Sequence, residues 1–446
     1  MPPAERKTGN LSALLGQQTE LDKIGAEILN AGPRAIRYRE TSARGKSMVF
    51  VAQRGDVVRV LTDEADFSLC HYTPLYAAIA PPRACIIMRP EGAERAERMA
   101  ILKTAAARTP WFGPDPTARH DVARACVDNV LAAVKGRRPF DLIGEYGFFV
   151  PYLVGKRVLG LAGPRSFSLL ALAICLVNGH PLIQLIEPET GPYLTDLAWS
   201  EFIVAQILKN FENRSWILRT LGRCGASLLR NQSEAYIDAF PRTAGDQTLL
   251  HALWAVRRDF PKLKDGVYRE HVVSIMMEVA ATLLLVPGSG FTGIVDRWLK
   301  GPGLEDSLRP LRALGSIAAE DFVQEQLRIA PPDPQLLRNA TRQIDLGGLT
   351  LEKGEYVCAL VKSAGADVPD PGQVVTGRPP NTYVHFGPVG GPHRCFGHLL
   401  APALLAEMFL GLTRLPDLAP RSGLTGRFGL VPGRLMVDFG EPLVLP

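Results

Sequence analysis

The chain contains no C-x-x-C pair: its seven cysteines stand scattered at positions 70, 85, 126, 175, 224, 358 and 395. A zinc ribbon or a disulfide framework is therefore not expected, and the setting reads as reducing and cytoplasmic. Net charge is scarce too. Fifty Lys and Arg against 45 Asp and Glu leave +5 over 446 residues, which points away from a nucleic-acid partner. No apolar run follows the charges near Met1, so no secretory signal is expected. Nor is there a long uninterrupted apolar segment. The most apolar window, residues 167–186, is broken by Asn178, His180 and Pro181, which a lipid-spanning helix would have to bury at considerable cost. A buried helix and a turn are expected there, and no membrane span. Internal repeats, low-complexity tracts and linkers are absent as well.

The sequence is 46% hydrophobic and 21% charged, a globular balance. Forty-two glycines and 36 prolines exceed the ordinary share and predict many turns and interrupted helices. The length allows one large domain or two to three ordinary ones, and without a linker one domain over 1–446 is expected. Residues 34–39 and 48–52 carry β-formers and predict a short hairpin. A helix is expected over 56–69, then a long irregular loop over 70–88 of the kind that often serves function. An arginine-rich helix is expected from 91 to about 108, and helical periodicity continues to about 328. Strands return over 344–361, with turns at Gly347-Gly348 and Lys353-Gly354, and a helix follows over 396–412. The fold class is mainly α with a minor β portion.

Three motifs could carry chemistry. Gly288-Ser-Gly290-Phe-Thr-Gly293 spells G-x-G-x-x-G after an apolar run, the dinucleotide-binding pattern. Its context fails, because no second strand with a terminal acid follows and the preceding residues read as helix. A long helix broken midway by Pro287 and three glycines fits better. Such a break is either a kinked core helix or one opened to face a flat cofactor or substrate. Second, Glu325 and Arg328 lie three apart on a helix and share a face, and Arg338 follows ten residues later. Third, Cys395 sits among Gly391, His393 and Gly397 just before an apolar helix. Backbone N–H groups aimed at sulfur favour the thiolate, and a thiolate is a strong axial ligand for haem iron. A buried structural cysteine and a Cys nucleophile with His393 as base are the competing readings.

In this order and at these separations, the motifs resemble those of the cytochrome P-450 family. Gly391, His393, Cys395 and Gly397 match the second half of its F-G-x-G-x-H-x-C-x-G signature. Glu325 and Arg328 match its E-x-x-R, and Gly288 to Thr292 fall where its distal helix carries small-small-x-acid-Thr. The motif-bearing core spans about 268–412. The resemblance implies a P-450-like domain holding haem b (iron protoporphyrin IX) between a long kinked distal helix and a proximal Cys loop. It implies that Cys395 ligates the iron, that His393 and Arg338 contact propionates, and that Gly391, Gly397 and Phe386 shape the loop. Glu325 and Arg328 become structural, the loop over 70–88 covers the substrate, and Arg95 or Arg98 is a further propionate partner.

Three departures from the family pattern stand out. Phe386 precedes Cys395 by nine residues instead of seven, so Pro388 and Val389 read as an insertion. The segment over 364–383 is short. Phe291 occupies the place of the acid before Thr292 and cannot donate a proton. The resemblance implies a monooxygenase acting on a hydrophobic small molecule with dioxygen and electrons from a separate ferredoxin or flavodoxin and its reductase. Here Thr292, Phe291 and Gly288 form the distal site. A peroxygenase or hydroperoxide isomerase or dehydratase needing no reductase is the second reading. A non-catalytic haem-binding or sensing protein is the third.

Overall fold

The computed structural model describes residues 4–8, 11–15, 17–30, 32–40, 47–69, 92–134, 139–160, 237, 247–428 and 431–440. The expected loop over 70–88 and the apolar window over 167–186 lie outside these residues. Among the described residues no helix is long and apolar enough to cross a membrane.

The helices that matter here are α1 (Gln18–Leu29), α2 (Arg54–Thr62), α3 (Ala93–Ala106), α4 (Thr117–Val134), α5 (Asp265–Lys300), α6 (Ser316–Ile329) and α7 (Leu400–Leu412). The strands of the main sheet are β1 (Ala4–Thr8), β2 (Ala35–Glu40), β3 (Ser47–Val51), β4 (Phe67–Ser68), β5 (Leu336–Ala340) and β6 (Tyr356–Ala359). The chain groups into two compact units. One is built chiefly from residues before 73 and from Asp321–His398, the other from 92–320 and the residues after 398.

The first unit contains the sheet, ordered β1-β2-β3-β6-β5-β4. The expected hairpin is β2 and β3, antiparallel with Ile36 opposite Phe50. Alternation explains why this sheet is covered on both faces. Val49 and Val51 join one apolar cluster with Val57, Leu61 and Val357, while Met48 and Phe50 join another with Leu21, Ile24 and Ile28 of α1. A second hairpin pairs Ile344–Leu346 with Leu349–Leu351 through Gly347 and Gly348. Both glycines have positive φ, +60° and +84°, as a two-residue turn of this twist requires. The helix expected over 56–69 instead ends at Thr62. There the Asp63 side chain accepts the Asp66 N–H, a local turn that competes with helix continuation.

The second unit is helical. Every residue of α7 except Leu410 is buried, as a helix apolar all round must be. Its one acid, Glu407, is held by His120 and Arg124 of α4. The expected midway break at Pro287 is absent: α5 runs continuously through 36 residues with that proline inside it. Proline removes one i to i−4 hydrogen bond without ending the helix, because neighbours brace it on either side. A π-helical turn, Leu142–Phe148, packs against α5 through a reciprocal exchange. A Cβ on Gly288 would lie 2.2 Å from the Phe148 ring, and one on Gly147 would lie 2.7 Å from the Phe291 ring. Each glycine is the socket for the other segment's phenylalanine.

Candidate functional site

Among the described cysteines, Cys126 and Cys358 are fully buried in apolar cores, and burial pushes both thiols up. Cys395 differs in being partly exposed. Its loop is closed by the Cys395 N–H donating to the Phe386 carbonyl at 2.7 Å. Residues 388–391, which include the two added ones, form a tight turn in which the Gly391 N–H donates to the Pro388 carbonyl at 2.9 Å. Gly387 just before the turn and Gly390 within it stand at φ +78° and +77°, conformations that favour glycine. The lengthened loop is thus accommodated locally, with Val389 projecting into solvent.

Burial raises the Cys395 thiol, and the Gly397 N–H donating to its sulfur works in the opposite sense. A Cβ on Gly397 would stand 3.7 Å from that sulfur, an ordinary contact distance. This donor set fits haem: one reachable thiol with an amide aimed at it, and two basic side chains, Arg338 and His393, suited to carboxylates. The two basic side chains are placed as follows. Arg338 is buried in β5, opposite Val357 of β6, and donates to the Leu337 carbonyl at 2.8 Å. His393 is paired through Nε2 with Glu64 Oε1 at 2.8 Å, a partner that the sequence motifs did not disclose.

Glu325 and Arg328 are fully buried and form a two-pronged bond, Nε to Oε1 and Nη2 to Oε2, both 3.0 Å. Burial alone would raise the Glu325 carboxyl. Hydrogen bonds from Arg328, the Val375 N–H and Arg378 outweigh it and hold the group below its usual range. Arg328 also donates to the carbonyls of Gly365, Pro371 and Gln373. The pair therefore organises the short segment between residues 365 and 378, which is a structural task. His385 stands just before Phe386, its ring 4.6 Å from the phenyl ring, with Nε2 bonded to Gln324 Oε1. Burial pushes its pKa down to about 3, so the ring is neutral.

Cys395, His393, Gly391, Gly397, Phe386, Arg338, Glu325 and Arg328 all belong to the first unit. Gly288, Phe291 and Thr292 lie on α5 in the second. At Gly288, where the sequence leaves open either a kinked core helix or one opened toward a ligand, the space a Cβ would take is filled by the Phe148 ring. Phe291 also faces the protein interior. It is fully buried, stacked on Phe409 of α7 and tilted against Tyr146. Thr292 is buried, and its hydroxyl donates to the Gly288 carbonyl at 2.8 Å. On α3, Arg98 is the fully buried arginine, its Nε donating to His271 Nδ1 at 2.9 Å, whereas Arg95 is half-buried.

No protein-family model matches the chain. It is similar to the cytochrome P-450 YjiB of Bacillus subtilis, 26% identical over 304 residues, covering 66% of this chain and 64% of that protein. It also resembles the steroid C26-monooxygenase of Mycolicibacterium smegmatis, 33% identical over 105 residues, 23% of this chain and 24% of the other. The chain thus matches less than two thirds of the length of these relatives. Among solved structures, the myxobacterial cytochrome P-450 CYP267B1, crystallised with myristic acid, gives a TM-score of 0.70 at 18% identity. That likeness covers 97% of this chain and all of the other. The Bacillus subtilis polyketide-synthase cytochrome P-450 PksS gives 0.69 at 14% identity, covering 95% and 98%. These likenesses establish the fold. The chain has the fold of the cytochromes P-450.

Proposed function

We propose that this protein is a haem-thiolate monooxygenase, holding haem b on Cys395 and oxidising a hydrophobic small molecule with dioxygen and electrons from a separate ferredoxin or flavodoxin system. The observation that carries the reading is Cys395 itself. It is the partly exposed cysteine among those described, and the Gly397 amide donates to its sulfur. When bound, the haem iron supplies dioxygen reduction and cleavage, and thiolate ligation favours O–O cleavage. The rest is the work of the chain. Gly397 N–H stabilises negative charge on Sγ, Arg338 and His393 would neutralise the propionates, and the Glu325–Arg328 pair keeps the neighbouring segment in place. Likeness over 97% of the chain to a single P-450 supports reading residues 1–446 as one haem domain.

Thr292 Oγ1 spends its proton on the Gly288 carbonyl, so toward any water it presents lone pairs and acts as an acceptor. The neighbouring position holds no acid, and Phe291 is committed to the aromatic core. That observation favours a second reading, in which peroxide or a substrate hydroperoxide is the oxidant and no reductase is needed. A separate-class reading, haem binding without turnover, is tested by the same experiment. Candidate apolar substrates are incubated at equal haem concentration with ferredoxin, reductase and NADPH, or with hydrogen peroxide alone. Product dependent on electrons supports the first reading. Product from peroxide with no response to electrons overturns it in favour of the second, and no product under either overturns both.

A further inference from the structure

We infer that Glu64 is a positioning residue for haem retention, acting by clamping His393 in the lengthened Cys395 loop. The inference rests on the haem reading above and deepens it. Two contacts join the turn after α2 to the loop. His393 Nε2 meets Glu64 Oε1 at 2.8 Å, with both side chains largely buried. Two residues earlier, Gly391 sits against Thr62, where an added Cβ would lie 3.2 Å from the Thr62 methyl.

The turn that presents Glu64 is itself held on both sides. Asp63 accepts the Asp66 N–H through its side chain at 3.1 Å and the Phe67 N–H through its carbonyl at 2.9 Å. The Ala65 carbonyl accepts from the Thr341 hydroxyl, and the Asp66 carbonyl from the Thr341 N–H at 2.9 Å. The Asp66 carboxylate is shared by Arg59 and Arg342. Glu64 is thus carried by a rigid platform. A loop with two added residues gains conformational freedom, and a second anchor on its histidine removes it. The pair acts on His393 as an outer partner acts on a metal-ligating residue: it fixes the ring's orientation before the cofactor arrives.

The test is haem loss from ferric holoenzyme to excess apomyoglobin, followed by absorbance, for wild type, Glu64→Ala, Glu64→Gln, His393→Ala and the double variants. Glu64→Ala should release haem about ten- to a hundredfold faster, the range found for such outer partners. Glu64→Gln keeps an acceptor oxygen and should restore most of the retention. In the His393→Ala background, neither Glu64 substitution should add anything. Thermal unfolding of the cofactor-free proteins should be little changed, because the Asp63, Ala65 and Asp66 anchors remain. Should Glu64→Ala fold poorly, Glu64→Met, of similar volume but without an acceptor oxygen, takes its place in the same comparison with and without His393. Equal loss rates for wild type and Glu64→Ala, or an undiminished Glu64 effect without His393, would overturn the inference. Wild type that takes up no haem would instead overturn the haem reading on which it stands.

Discussion

The rings of Phe291 and Phe409 are stacked, with centroids 5.0 Å apart and planes inclined by 20°. Trp298 lies against the same Phe409 ring at 4.8 Å, and Tyr146 against Phe291 at 5.8 Å. The residue in the place of a proton-delivering acid is therefore an element of the core joining α5 to α7. Replacing it by an acid removes a large apolar side chain and inserts a carboxyl among rings. Phe291→Asp should cost about 3–5 kcal/mol of stability, with Phe291→Leu considerably milder. Chemical denaturation of both variants measures the difference. A stable Phe291→Asp protein with improved coupling of electrons to product would contradict this placement.

The Gly288 socket makes a separate prediction. A methyl group there meets the Phe148 ring along its length, so backbone or ring must shift. Gly288→Ala should destabilise by about 1–3 kcal/mol through overpacking. The double variant Gly288→Ala with Phe148→Leu should recover part of that loss. Additive losses in the double variant would show that the two residues do not meet.

Arg328→Ala removes one partner of a buried pair and three further donors to backbone carbonyls. The expected cost is about 3–5 kcal/mol, because only Arg378 and the Val375 N–H remain to hold the buried Glu325 charge and three carbonyls lose their donor. Arg328→Lys should rescue little, because an ammonium cannot reproduce the two-pronged bond. Thermal unfolding and haem content report both. Full stability in Arg328→Ala would contradict the structural role assigned to the pair.

His120 provides a pH prediction. Burial lowers its pKa, but hydrogen bonds to Glu320 at 3.1 Å and Glu407 at 3.0 Å dominate and raise it to about 9. A folded-state pKa above the unfolded value gives stability that is fully present below the unfolded pKa, near 6.5, and lost as pH rises through about 9. The loss over that window should be roughly 2–4 kcal/mol. His120→Gln should be less stable than wild type at pH 6, and the gap should close toward pH 9 and above. A gap that does not change with pH would show that the ring is neutral in the folded protein.

Local features were legible where local rules decide them. The Gly347-Gly348 turn, the β2–β3 hairpin and the helix at Ala93–Ala106 follow from turn chemistry and periodicity over a few residues. The Glu325–Arg328 pair was visible because its partners are one helical turn apart. Thr292 was named for its proton, and the structure shows where that proton goes. Three things were not legible. Helix α2 ended early because the Asp63 side chain competes for the backbone, which periodicity does not register. Pro287 was read as a break, yet tertiary packing on the Leu142–Phe148 turn and α7 carries the helix across it. The partners of His393 and His120 come from segments hundreds of residues away, and no spacing in the sequence joins Glu64 to His393 or Glu407 to His120.

The central claim is that Cys395 is the thiolate ligand of a haem iron. The direct measurement is the absorption spectrum of the reduced protein with carbon monoxide, for wild type and Cys395→Ala. Wild type should show the strongly red-shifted Soret band of a thiolate-ligated haem, and Cys395→Ala should lose that band even where some haem remains. Wild-type protein without haem, or the same red-shifted band in Cys395→Ala, would contradict the account.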